Sequence, residues 1–219
     1  MKLILTYSGE LRSKTKDPRP DRPDKMSGHI NQIRRVFHNQ LKEHWRTHPF
    51  LREASSYPSD LGLDANQFGD ASNDVSIPKG HVKWTEIIPE LHPVENFRFL
   101  PLVRSDWHLQ CELDILFLRK NPPGSLVQAG DIDNRIKTLL DGLRMAQSRN
   151  ELGNSNEPNS QEVPFYCLLE DDQLISRLNI ETGRLLELDD EGAHDSWVKL
   201  VIHATVKPTR STLLNLSFV

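Results

Sequence analysis

The chain has 219 residues, 37% hydrophobic and 26% charged, with a formal net charge of −4. Its length is that of one domain with a core of its own, and its composition excludes collagen, coiled-coil and wholly disordered classes. The negative total argues against a basic nucleic-acid coat protein, but the charge is uneven along the chain. Residues 1–50 hold eleven Lys/Arg against five Asp/Glu, residues 51–100 four against eight, residues 101–150 seven against six, and residues 151–200 three against twelve. Cys111 and Cys167 both lie in apolar runs. They are too few for a disulfide scaffold and wrongly spaced for zinc, so two buried free thiols are predicted. No apolar run approaches the roughly 18 residues of a membrane span. The first residues, MKLILTYSGE, turn polar too soon for a signal peptide. The expectation is a soluble, cytoplasmic protein with no membrane partner.

In chain order, Lys2 to Tyr7 alternates weakly and predicts a first strand. Pro18, Pro20 and Pro23 then forbid regular structure. Ser27 is a plausible N-cap for a helix running to about Trp45, because Ile30, Ile33, Phe37, Leu41 and Trp45 repeat at three and four residues. Arg34, Arg35, His38 and Lys42 fall off that stripe, which places Arg34 and Arg35 on the exposed helix face. Residues 48–105 read as an irregular insertion or lid, rich in Pro, Gly, Asn and Asp. His108 to Leu118 predicts a well-buried strand ended by the turn at Asn121 to Gly124, and a strong helix follows the turn. Residues 148–163 read as a polar loop without packing residues. Pro164 to Leu169, Gln173 to Leu186 and Trp197 to Val206 supply the remaining apolar segments, with a turn at residues 188–195. The order β-α-(insertion)-β-α-β-β predicts a single domain over residues 1–219 of mixed α/β class, with helices covering a small mixed sheet.

The sharpest local feature is Asp131-Ile-Asp133-Asn134-Arg-Ile-Lys137-Thr-Leu-Leu-Asp141-Gly142. At about 100° per residue, Ile132, Ile136, Leu139, Leu140, Leu143 and Ala146 form one apolar stripe, and Asp133, Lys137 and Arg144 line one edge of it. Two aspartates at a helix start are also common capping residues. A second acidic group, Glu170-Asp171-Asp172, follows an apolar segment directly. Both groups therefore lie at the ends of core elements, where they can meet. Carboxylates 4 Å apart repel by about 4 kcal/mol per pair at an effective dielectric of 20, and a divalent cation removes that cost. An oxygen-only donor set selects a hard ion, Mg²⁺ or Mn²⁺, which keeps water and takes phosphate oxygens as further ligands. Such ions activate a water and stabilise a leaving oxygen, and Lys137 beside them would neutralise developing charge.

Other motifs fail on spacing. An EF-hand loop starting at Asp131 needs Gly at its sixth position and Glu at its twelfth, where the chain has Ile136 and Gly142. A haloacid-dehalogenase phosphatase needs an apolar strand just before its Asp-x-Asp, where this chain has SLVQAG. His194-Asp195 lies in a turn without matching histidines.

The run Asp131-x-Asp133-Asn134-x-x-Lys137-x-x-x-Asp141, followed by Glu170-Asp171-Asp172-Gln173-Leu-Ile, resembles the RusA-type Holliday-junction resolvases over roughly residues 108–207. The resemblance implies a small α/β homodimer that cuts branched DNA with Mg²⁺, for which Mn²⁺ can substitute. It puts the family's metal-binding aspartates on Asp131, Asp133 and Asp171, with Asp172 as the one-residue alternative, and its functional lysine on Lys137. Asn134 and Asp141 match as structural supports. The long stretches at 48–105 and 148–163 and the acidic total depart from the compact, basic pattern. Phosphate contact is expected from the front of the chain, at Arg12, Lys14, Lys16, Arg19, Arg22, Arg34 and Arg35, and from Lys137. The alternatives are a branched-DNA-binding dimer that does not cut and a phosphohydrolase for small phosphate esters.

Overall fold

The computed structural model describes residues 1–13, 25–61, 80–120, 131–153, 157–186 and 196–218. In chain order its elements are β1 (Lys2–Glu10), α1 (Lys25–Thr47), α2 (Pro49–Glu53), β2 (Ser55–Ser56), β3 (Val82–Lys83), α3 (Trp84–Leu91), β4 (Pro93–Val94), β5 (Phe97–Val103), β6 (Leu109–Arg119), α4 (Asp131–Leu143), β7 (Phe165–Leu169), β8 (Ile175–Arg184) and β9 (Trp197–Pro208). Short 3-10 turns link several of them. The class is mixed α/β.

Alternation builds the larger sheet, of order β1-β9-β6-β8. β9 runs antiparallel to β1 and β6, and β8 runs parallel to β6. Leu3, Leu5 and Tyr7 of β1, Leu113, Ile115 and Phe117 of β6, and Leu200, Ile202 and Ala204 of β9 are buried, while the residues between them face outward. The free edge of β1 is closed by one side chain. Thr6 N–H donates to Gln40 Oε1 at 2.9 Å, and Gln40 Nε2 donates to Thr6 O at 2.7 Å, so an amide from α1 pairs as another strand would.

The stretch 48–105, expected to be an irregular insertion, is part of the core in its described portions. β5 is almost wholly buried and pairs in parallel with β7, and β4 completes a three-stranded sheet. Phe97, Phe99 and Phe165 stack together on it. Trp84 of α3 packs on Trp107, with ring centroids 4.3 Å apart, and donates its Nε1–H to Ser56 Oγ at 2.8 Å. Phe50 and Phe218 close this aromatic group. The loop at 148–163, expected to lack packing residues, buries Leu152 beside Phe97 and Met145 and buries the Glu162 side chain. The predicted thiols Cys111 and Cys167 are free and buried. Among the described residues, no helix is long and apolar enough to cross a membrane.

Helix α1 starts earlier than its predicted cap, and Ser27 lies inside it. It is buried over two adjacent ridges. The predicted stripe of Ile30, Ile33, Phe37, Leu41 and Trp45 is one. Ser27, Asn31, Arg34 and His38, at helical spacings of four, three and four, form the other. The expectation that Arg34 is exposed is therefore corrected: its side chain is 1% exposed. Arg34 Nε donates to Arg144 O at 2.9 Å, one terminal nitrogen donates to Asp141 O at 2.9 Å, and the other donates to Asn31 Oδ1 and Glu151 O at 3.3 Å each. These carbonyls include the last ones of α4, which a helix end leaves unpaired and electronegative. Burial pulls the guanidinium down to about 10, and Glu151 at 3.9 Å acts against that. His38 accepts from Tyr166 N–H of β7 at 2.9 Å through Nδ1, which leaves Nε2 as the donor to Gln161 O at 3.0 Å.

Helix α4 meets α1 at Gly142. A Cβ there would lie 2.6 Å from Ile33 Cγ2, so only glycine permits this approach. Ile136, Leu139 and Leu143 of α4 are buried, as the stripe predicts. Replacing Arg34 with Met leaves three buried carbonyls without their donor. It should cost about 3 kcal/mol or more of unfolding free energy in urea titration. A change under about 1 kcal/mol would show that the guanidinium is not structural.

Candidate metal and nucleic-acid site

Asp131 is the first residue of α4, and its side chain lies outside the described part. One turn in, Asp133 Oδ2 accepts from Lys137 Nζ at 3.1 Å, and the two side chains are 73% and 61% exposed. An i,i+4 pair in such open water contributes little to stability. The edge that presents Asp133 and Lys137 is thus free of structural duty. The backbone carbonyl of Asn134 accepts from Thr138 Oγ1 at 3.1 Å.

The other end of α4 is built differently. Arg144 Nη2 reaches Asp141 Oδ1 at 2.8 Å and Glu151 Oε1 at 3.0 Å, and Arg144 Nη1 reaches Glu151 Oε2 at 2.8 Å. Asp141 is therefore a partner in a half-buried charge network, as its supporting role predicts. Sequence spacing put Arg144 in line with Asp133 and Lys137; the network turns it to this separate task. A cavity of about 230 Å³ lies beside it, lined in part by Ser27, Asp141, Arg144 and Glu151.

Strand β7 brings the second acidic group to the same end. Arg144 bridges Leu169 in parallel, and Met145 N–H donates to Leu169 O at 2.9 Å. The three acidic residues that follow are not equivalent. Glu170 is fixed: its N–H donates to Val103 O at 3.0 Å, its carboxylate accepts from Ser105 N–H at 2.7 Å and Ser105 Oγ at 2.9 Å, and its carbonyl accepts from Gln147 Nε2 at 2.7 Å. Asp171 caps the 3-10 turn Asp172–Leu174, accepting from Gln173 N–H at 2.9 Å. Asp172 is pushed up from the ordinary carboxylate range, by burial first and then by the adjacent Asp171, while Arg144 pulls it down.

The structure thus joins Asp133 to Lys137, and Asp171 to Asp172 near Asp141 and Arg144. Besides Asp171, the charges that act on Asp172 are those of Arg144 and Asp141 at this C-terminal end of α4. Eight residues, roughly 12 Å of helix rise, separate Asp141 from Asp133. Among the described residues, no group of three or more His, Cys, Asp or Glu side chains is gathered for a metal ion. Of the basic residues expected to contact phosphate, Lys14, Lys16, Arg19 and Arg22 lie outside the described residues. Arg35 is 38% exposed and held by Glu162 Oε1 at 2.6 Å, and Arg34 is withdrawn into the core. Glu162 and Glu151 are site-shaping residues that the sequence reading did not single out. Their one signal is the charge each carries.

Comparison of the chain with protein-family models, curated proteins and solved structures returned no match. The motif residues themselves therefore carry the likeness to RusA-type enzymes.

The raised carboxyl of Asp172 has a signed consequence. Its neutral form is favoured in the fold, so its contribution to stability is present at low pH and lost as pH rises through the folded-state value. Asp172→Asn should raise the melting temperature at pH 7, and Arg144→Met should move the Asp172 titration higher still in side-chain carboxyl NMR. A downward move, or an Asp172→Asn protein that melts lower, would contradict this electrostatic picture.

Proposed function

We propose that the chain is a RusA-like, divalent-metal-dependent endonuclease that hydrolyses phosphodiester bonds in Holliday junctions or other branched DNA, acting as a homodimer. The observation that carries this reading is the exposed Asp133–Lys137 edge of α4, which the fold does not need, on the helix whose far end abuts the Asp171–Asp172 turn.

The donor chemistry fits a hard cation. The available side chains offer carboxylate oxygen alone, and Asp172 is held above the ordinary carboxylate range by burial and by the adjacent Asp171. Asp131, Asp133 and Asp171 are the residues that would hold Mg²⁺, with Mn²⁺ able to substitute and Asp172 as the alternative to Asp171; the Asp171–Asp172 turn lies by the end of α4 away from Asp133, so one shared ion requires the two acidic groups to draw together. When bound, such an ion supplies a water of lowered pKa and neutralises charge on the phosphate. The chain's own residues do the rest. Lys137 presents an ammonium to the phosphate oxygens from the same helix edge as Asp133. Glu170, through its bonds to Ser105, Val103 and Gln147, fixes the turn from which Asp171 projects. DNA contact falls to Lys14, Lys16, Arg19 and Lys137, and to Arg35 once it releases Glu162. Arg34 is excluded from that surface by its burial.

A synthetic four-way junction incubated with the protein and Mg²⁺ or Mn²⁺ at low salt tests the reading. Cleavage is expected, abolished by Asp133→Asn with junction binding retained, and slowed about 10²–10³-fold by Lys137→Ala. Binding without cutting under both ions would favour a non-catalytic branched-DNA module. Cleavage undiminished in Asp133→Asn would remove this site.

A further inference from the structure

The two edges of the larger sheet are treated differently. Gln40 covers the edge of β1, whereas β8, ten residues long, leads nothing along its far side among the described residues. Most of β8 is exposed. The strand contains no proline, and its register shift against β6 falls at the extreme start, near Cys111 and Glu112. Natural sheets seldom leave so long and regular an edge open.

The pairing of β8 with β6 fixes which face each residue occupies. Arg177, Asn179 and Glu181 stand beside Glu112, Asp114 and Leu116 on the outer face. Leu178 and Ile180 stand beside Leu113 and Ile115, which are fully buried core residues. Leu178 is nevertheless 39% exposed. The apolar layer therefore runs out to this edge and stops uncovered.

The segment Arg177-Leu178-Asn179-Ile180-Glu181 is complementary to itself when reversed. We propose that β8 pairs antiparallel with β8 of a second copy of this chain, the two-fold axis passing through Asn179, to make one continuous eight-stranded sheet. In that register Arg177 faces the partner's Glu181 on the outer face, and Leu178 faces the partner's Ile180 on the core face. Each contact occurs twice, as a two-fold interface requires. A shift of two residues either way sets Arg177 against the partner's Asn179 or the partner's Gly183 and loses both ion pairs. An odd shift turns the core face outward. Glu181 is exposed and has no ion-pair partner among the described residues, while Arg177 is already oriented by Asp114 at 2.8 Å and Glu112 at 3.3 Å. Arg177 has further guanidinium donors to offer across the axis.

The pairing names the surface for the homodimer included in the proposed function. Its test reads association alone, so a stable β8 dimer that cuts nothing leaves it intact, and a cutting enzyme assembled elsewhere overturns it. Sedimentation velocity on the full chain should show a dimer. Glu181→Arg, which leaves the Arg177 bridges within the sheet untouched, should weaken it at least about tenfold by setting like charges opposite each other twice. The double change Arg177→Glu with Glu181→Arg should restore it. Because that double variant also alters the bridges to Glu112 and Asp114, a second measurement stands beside it. Asn179→Cys should form a disulfide-linked dimer on mild oxidation, and Ile4→Cys on β1 should not. A monomer at 100-micromolar order, a dimer indifferent to Glu181→Arg, or a dimer that Asn179→Cys fails to link would each overturn the proposal.

Discussion

One buried cation organises the middle of the molecule. Arg34 enters from α1 and ends on the carbonyls of Asp141 and Arg144 at the close of α4, and on Glu151 O in the turn beyond. A helix end carries unpaired acceptors and partial negative charge, so a guanidinium is the side chain best matched to it. Removing this charge from water is costly, and only this number of bonds offsets it. Because these contacts are made from the flank of α1 next to Ile33, they also set the depth at which Gly142 meets that isoleucine. The position of α4 follows, and with it the side of the helix that reaches water.

That position explains the division of labour along α4. Its C-terminal end is spoken for by Arg34, by the Asp141–Arg144–Glu151 network and by the bridge to Leu169 of β7. Its N-terminal end bears Asp133 and Lys137 in solvent, bonded to each other and to nothing that the fold requires. β7, buried throughout, delivers Glu170, Asp171 and Asp172 at the point where it leaves the core. Of these, the one with the most hydrogen bonds, Glu170, is the anchor. The carboxyl of Asp172 is raised first by its burial and then by the adjacent Asp171.

The elements with a strong period were legible. β6 and β9 alternate cleanly, the stripe of α4 is buried as spaced, and the five apolar positions of α1 all face inward. What failed had a common cause: polar residues do not announce burial. Ser27, Asn31, Arg34 and His38 repeat with the same helical spacing as the apolar stripe, yet Ser27 reads as a cap, and Arg34 and His38 only as positions off the stripe. Their partners, Tyr166, Gln161, Glu151 and the end of α4, lie more than a hundred residues away in sequence, apart from Arg34's bond to Asn31. The stretch 48–105 was opaque for a related reason. β5 carries Pro101 in its middle, and its pairing with β7 spans more than sixty residues, so neither its period nor its neighbours mark it as a strand. At the candidate site, what the sequence offers is the Asp-x-Asp-Asn-x-x-Lys pattern, which is local. The relation between the two acidic groups was not legible, since it depends on where α4 ends against β7.

We propose that Asp133 and Asp171, which lie towards opposite ends of α4 in this structure, come to serve one divalent ion. Electron paramagnetic resonance of Mn²⁺ titrated into the protein measures this directly, because bound ion loses the six-line signal of the free ion. The account predicts a carboxylate-dependent site that Asp133→Asn and Asp171→Asn each weaken by about tenfold or more, an effect of the size that lost ligation produces. Binding that only one of the two substitutions weakens, or that neither does, would contradict it.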